Sequence, residues 1–123
     1  MKKEEAIQIK FCNYLKKNHP LVIFTTDLSG DNVNIQQARK NKMQRSSRGF
    51  PDLMIFERNK EYGMLFLEFK KESPYLKNGK LSTNKHIQEQ NELHKKLRLK
   101  GFKVDFVWSL EDAILIFEKY IKK

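Results

Sequence analysis

Apolar residues recur along this chain with two periods, about 3.6 residues and 2 residues, which divide it into helices and strands. Residues 3 to about 18 follow the helical period. At about 100° per residue, Glu4, Gln8, Phe11 and Leu15 fall within about 60° of one another, with Ile7 and Tyr14 flanking them. Glu4 and Gln8 therefore sit on the apolar stripe, whereas Lys2, Glu5, Lys16 and Lys17 lie elsewhere. The helix ends at Asn18-His19-Pro20, with His19 as a C-terminal helix residue. Residues 21–26, LVIFTT, are β-branched and apolar and predict a buried strand. Asp27 to Gly30 turn the chain, and residues 31–48 are polar and basic, a solvated loop or short helix.

Residues 49–70, GFPDLMIFERNKEYGMLFLEFK, read as a turn followed by a hairpin. Its strands lie near 52–57 and 63–70, joined by Asn59 to Tyr62. In the second strand both faces are apolar, Met64 and Phe66 on one and Leu65, Leu67 and Phe69 on the other, as in a central strand covered on both sides. Residues 72–85 are rich in Pro, Gly, Asn, Ser and Lys and read as a mobile loop. A helix follows from about 85 to 100. Its inward stripe is Ile87, Gln90, Leu93, His94 and Leu97, within about 120°, with Gln88 turned away. Gly101 closes it and residues 102–108 form another strand. Ser109 with Asp112 resembles a capping box opening a last helix to about Ile121, packed through Ala113, Ile114, Phe117 and Tyr120 or Ile121. The predicted order is α-β-β-β-α-β-α, a single α/β domain over residues 1–123 with a mixed sheet flanked by helices.

The candidate chemistry lies in the hairpin. Glu68 and Lys70 share one face of their strand and Phe69 takes the other. If the two strands pair, Asp52 at the start of one lies beside Glu68 near the end of the other. Two carboxylates and a lysine then converge, which suits a divalent cation next to a phosphate. The lysine would orient the attacking water or neutralise the transition-state anion. The bland alternative is a Pro-Asp turn and an ordinary charged hairpin face. The position of Glu68 in a doubly covered strand argues against it. An inward Glu4 also costs free energy unless it is paired or bound to a metal, although an acid in a first helical turn can simply favour the helix dipole. His94 reads as a packed, hydrogen-bonded histidine rather than a ligand.

The net charge of +10 and pI near 9.7 point to a polyanionic partner. Arg39, Lys40, Lys42, Arg45 and Arg48 come with no acid among them and, standing just before the Gly-Phe-Pro-Asp turn, form a candidate phosphate-contacting arm. No run of 18 apolar residues exists. MKKEEAIQIK has no apolar signal-peptide core, and the single cysteine, Cys12, cannot form an internal disulfide, so a reducing cytoplasmic setting is expected. Cys12, His19, His86 and His94 lack zinc-site spacing.

Taken together, these residues resemble the VRR-NUC nucleases, the virus-type replication-repair branch of the PD-(D/E)xK, restriction-endonuclease-like superfamily. The resemblance covers nearly the whole chain and is to the stand-alone phage or bacterial type. Its pieces are Glu4, Ile7 and Gln8, then Gly49 to Asp52, then Glu68 to Lys70. Gln90, Leu93, His94, Leu97 and Arg98 follow, then Ser109 to Ala113. It implies metal-dependent phosphodiester hydrolysis in a restriction-endonuclease-like core. Asp52, Glu68 and the backbone carbonyl of Phe69 would bind Mg²⁺ or Mn²⁺, with Lys70 positioning or activating the water. Glu4 would support the metal site, and Gln8 and Gln90 would contact the metal-bound shell or the substrate. Where the family often shows Leu-Ser-x-x-Gln, this chain has His86-Ile87-Gln88-Glu89-Gln90, so Gln88 remains a rival to Gln90, and Glu5 one to Glu4. Stand-alone members resemble Holliday-junction resolvases and form homodimers, implying a structure-selective DNA endonuclease in a bacterial or phage-infected cell. The alternatives are a flap, nicking or general DNase of the same fold, or a non-catalytic basic DNA-binding protein.

Overall fold

A computed structural model describes residues 1–27 and 34–123. The first element is α1, Lys3–Asn18. Its ends suit the helix dipole, with Glu4 and Glu5 in the first turn and Lys16 and Lys17 in the last. Its apolar stripe buries Phe11 and Leu15. After a turn in which the Val22 N–H donates to the His19 carbonyl, β1 spans only Phe24–Thr26. The predicted buried strand over 21–26 is thus shorter and less buried, and Leu21 and Ile23 are exposed. The reason is its place at the sheet edge, where only β2 flanks it.

The turn predicted for Asp27 to Gly30 lies, past Asp27, outside the described residues. The basic stretch resolves as a helix, α2, Ile35–Met43, where the side chain of Asn34 accepts from the Gln37 N–H. It buries none of its residues. The element order therefore gains a helix over the predicted one, α-β-α-β-β-α-β-α.

The predicted hairpin is present with shorter strands, β2 (Leu53–Ile55) and β3 (Leu65–Phe69), paired antiparallel with Leu53 opposite Leu67. Every residue of β3 is buried. The chain then passes through α3 (Lys85–Leu99) into β4 (Lys103–Val107), which lies parallel to β3. The last helix is α4, Leu110–Ile121, where the Ser109 hydroxyl accepts from the Asp112 N–H at 3.1 Å. The sheet order is β1-β2-β3-β4. Gly101 ends α3 with φ of +93°, a conformation that favours glycine.

Alternation along β3 sends its two faces to different layers. Leu65, Leu67 and Phe69 join Phe11 and Leu15 of α1 and Ala113, Phe117 and Tyr120 of α4 in one core. Phe11 is its centre, with Phe69 at 6.1 Å and Phe117 at 6.2 Å between ring centroids. Phe66 and Glu68 face the other layer, where α3 packs on β4. A carboxylate thus stands in a row of buried apolar side chains.

The segment between β3 and α3 has order of its own, unlike the predicted mobile loop. Tyr75 bridges Leu81, the Leu76 N–H donates to the Lys80 carbonyl at 2.7 Å, and Pro74 is buried. Tyr75 supports it by packing edge-on against Phe106 and Trp108.

Candidate active site

The β2–β3 register sets the geometry. With Leu53 opposite Leu67, the preceding residue Asp52 comes opposite Glu68. The Phe69 N–H donates to Asp52 Oδ2 at 2.8 Å, tying the entrance of β2 to the end of β3. Proline at 51, buried, fixes the backbone just before that carboxylate. The carboxyls of Asp52 and Glu68 lie within hydrogen-bonding reach of one another.

Burial dominates the electrostatics. Glu68 is 1% exposed, and its carboxyl is pushed well above the ordinary value, first by burial and then by the charge and hydrogen bond of Asp52. Burial also raises Asp52, although hydrogen bonds from Glu68 and the Phe69 amide and the charge of Lys70 pull it down. Burial thus works against the charged form of both neighbouring acids. Lys70, two residues along the strand face from Glu68, has its ammonium 5.8 Å from the centre of the Phe106 ring.

Two further residues join this centre. His94, fully buried on α3, meets Glu68 through Nε2 and Oε1 at 3.3 Å. Burial, helped by the charges of Arg98 and Lys70, lowers its pKa to about 4. His94 is therefore uncharged at neutral pH, and the contact is a hydrogen bond rather than an ion pair. Its ring lies 4.6 Å from that of Phe106. The expectation of a packed, hydrogen-bonded histidine describes this position, but its partner, Glu68, was not foreseen. Asp27 is the second. Its backbone N–H donates to the Asp52 carbonyl at 2.8 Å, and its charge raises both Asp52 and Glu68. The sequence offered only a turn-forming acid there; pairing of Thr26 with Leu53 brings it opposite Asp52.

Gln90 is 5% exposed, one turn before His94, and its Oε1 has no partner among the described residues. It lies against the Gly49 turn. Gly49 has φ of +79°, and a Cβ there would stand 3.5 Å from the Gln90 Cα. Gln88 instead donates through Nε2 to the Ser82 carbonyl at 2.6 Å, holding the preceding loop. On α1, Glu4 and Gln8 are half-buried and Glu5 exposed, so the stripe orientation holds. Glu4 lines a groove with Phe69 and Lys70. Arg39, Lys40 and Lys42 are exposed on α2, and Arg48 is exposed beyond it. Arg45 differs from them, since its guanidinium pairs with Asp27 at 3.1 Å.

The donor set fits a small, hard cation. Its members are two carboxylates raised first by burial, Glu68 further by the charge of Asp52, with the Phe69 main chain between them. Positive charge at their junction would favour the charged forms and so oppose those shifts. Among the described residues no group of three or more His, Cys, Asp or Glu side chains is gathered for a metal.

No family model and no curated protein matches this chain. Among solved structures it is similar to one titled "VRR_NUC domain protein", with a TM-score of 0.69 and 19% identity, covering 99% of this chain and 90% of that chain. With its four-stranded mixed sheet and flanking helices, this chain has the fold of that VRR_NUC domain protein.

Proposed function

We propose that the chain, as one domain, is a nuclease of the VRR-NUC type, hydrolysing phosphodiester bonds of DNA endonucleolytically with Mg²⁺ or Mn²⁺. The observation that carries this reading is the register that sets Asp52 beside Glu68, with Lys70 two residues on along the same strand. The fold likeness to a VRR_NUC domain protein supports it, and so does the charge of +10.

Asp52, Glu68 and the Phe69 carbonyl would hold the cation. It would supply charge against the phosphate and acidify a bound water. Asp52 is oriented through the Phe69 N–H, and Glu68 through His94. Lys70 supplies an ammonium for the attacking water or the developing anion, and its place over Phe106 keeps it within the site. Gln90 offers an unpaired amide oxygen to the water shell or substrate. Glu4 would support the metal site from the groove wall. Gln8, one turn further on along α1 and half-buried, would contact the metal-bound shell or the substrate. Arg39, Lys40, Lys42 and Arg48 meet phosphates, while Arg45 braces the arm through Asp27.

The substrate preference proposed is branched DNA, in the manner of a Holliday-junction resolvase, cut by a homodimer in the cytoplasm of a bacterial or phage-infected cell. A two-fold dimer matches the paired cuts of a four-way junction. The test is a labelled four-way junction beside flap and linear duplex DNA, with Mg²⁺, Mn²⁺ or EDTA, for the wild type and Glu68→Ala. Symmetric, metal-dependent cuts lost in the variant are expected. Binding without cutting in any metal, equal in both proteins, would make this a DNA-binding protein. Cutting of all substrates alike by a monomer would leave the nuclease and remove the resolvase.

A further inference from the structure

Beside the candidate site lies a groove of about 890 Å³ whose walls include Lys2, Lys3, Lys70 and Lys71 against two acids, Glu4 and Glu72, together with Tyr75 and Leu76. Tyr75 and Leu76 are 43% and 48% exposed, so neither side chain belongs to the core. They are nevertheless held firmly. The Ser82 N–H donates to the Pro74 carbonyl at 2.8 Å, and Tyr75 bridges Leu81. The Tyr75 ring stands edge-on to Phe106 at 6.4 Å and to Trp108 at 6.0 Å. Phe106 is also the ring over which the Lys70 ammonium rests at 5.8 Å. One buried ring thus supports both the candidate catalytic lysine and the exposed aromatic.

We infer that this groove receives an unpaired stretch of DNA next to the cleaved phosphate, with a base stacked on Tyr75 and Leu76 and the lysines on its phosphates; this rests on the nuclease reading above. A held, half-exposed aromatic among lysines matches what a single strand presents, since every base has a π-face and every linkage a negative charge. A base inside a duplex turns its faces to its neighbours and cannot meet Tyr75 unless it leaves the stack. The groove therefore favours DNA whose nucleotides at the cut are unpaired or can leave the stack, as at a branch point.

The test is binding of a labelled single-stranded oligothymidine and a blunt duplex of equal length, in EDTA, followed by anisotropy. Trp108, the single tryptophan, gives a second signal. The wild type is expected to bind oligothymidine with a change in Trp108 emission. Tyr75→Ala should weaken binding about five- to hundredfold, and Tyr75→Phe should restore it. Leu76→Ala, expected to cost less, keeps the test available if Tyr75→Ala melts early. Unchanged oligothymidine affinity in Tyr75→Ala and Leu76→Ala, with a wild type that still cuts DNA, overturns the groove and spares the nuclease. Equal dependence of duplex binding on Tyr75 overturns the selection of unpaired DNA. A wild type that neither binds nor cuts any DNA overturns the nuclease reading and the inference with it.

Discussion

Replacing Asp52 by alanine and by asparagine separates two roles of one carboxylate. Asp52 Oδ2 accepts the Phe69 N–H at 2.8 Å, and Phe69 is 3% exposed, so that amide has no ready water to replace a lost partner. Asparagine keeps an acceptor oxygen at the same reach. Alanine removes it and leaves a buried donor unpaired, which costs about 1–3 kcal/mol. Both substitutions also relieve the repulsion between Asp52 and Glu68, and that gain cancels when the two variants are compared with each other. Asp52→Ala is therefore expected to be less stable than Asp52→Asn by about 1–3 kcal/mol, or roughly 3–5 °C in Tm for each kcal/mol in a domain of this size. The measurement is urea unfolding of both variants at neutral pH in EDTA, with a parallel cleavage assay. Both should fail to cut DNA. An alanine variant as stable as the asparagine variant would refute the argument that Phe69 holds this carboxylate in place. Cleavage retained by either variant would remove Asp52 from the catalytic site.

Two other perturbations address the frame rather than the chemistry. Phe117, fully buried with its ring 6.2 Å from Phe11, should cost about 3–5 kcal/mol when changed to alanine, read from the urea midpoint; a loss below about 1 kcal/mol would mean that this face is not the main core. Glu118 accepts from the Tyr14 hydroxyl and meets His19 Nε2 at 2.8 Å, and these hydrogen bonds hold its carboxyl below the usual range. A lowered folded pKa gives stability that is present above the unfolded value, near 4.5, and is lost as pH falls through the folded one. Glu118→Gln should thus be less stable than wild type at neutral pH, with the gap closing below pH of about 4.5; a gap of constant size in thermal melts from neutral to strongly acidic pH would contradict it.

Periodicity in the sequence was enough to orient Glu4, Gln8 and Gln90 inward and to read residues 65–69 as a strand covered on both faces, because each follows from backbone geometry within one element. Asp52 beside Glu68 was legible too, given only that neighbouring strands pair. Burial along an element depends on what flanks it, and no local pattern states that. Leu21 and Ile23 have strand-like composition but adjoin an edge strand, so they stay exposed. For Ile35–Met43 the sequence leaves a loop and a short helix both open, since with no buried face the helix lacks the apolar stripe that announces one. The loop after Lys70 owes its order to Tyr75 against Phe106 and Trp108, which are distant in sequence.

By itself, then, the chain determined the elements that carry their own period or cap, the carboxylate pair on the hairpin and the positive charge. Only tertiary structure decided that His94 reaches Glu68 across 26 residues, that Asp27 adds its charge to the pair, that Arg45 is engaged by Asp27, and that an exposed tyrosine stands at the mouth of the site. Each of these depends on sheet order and on packing between layers, and the short-range spacing of residues does not encode either.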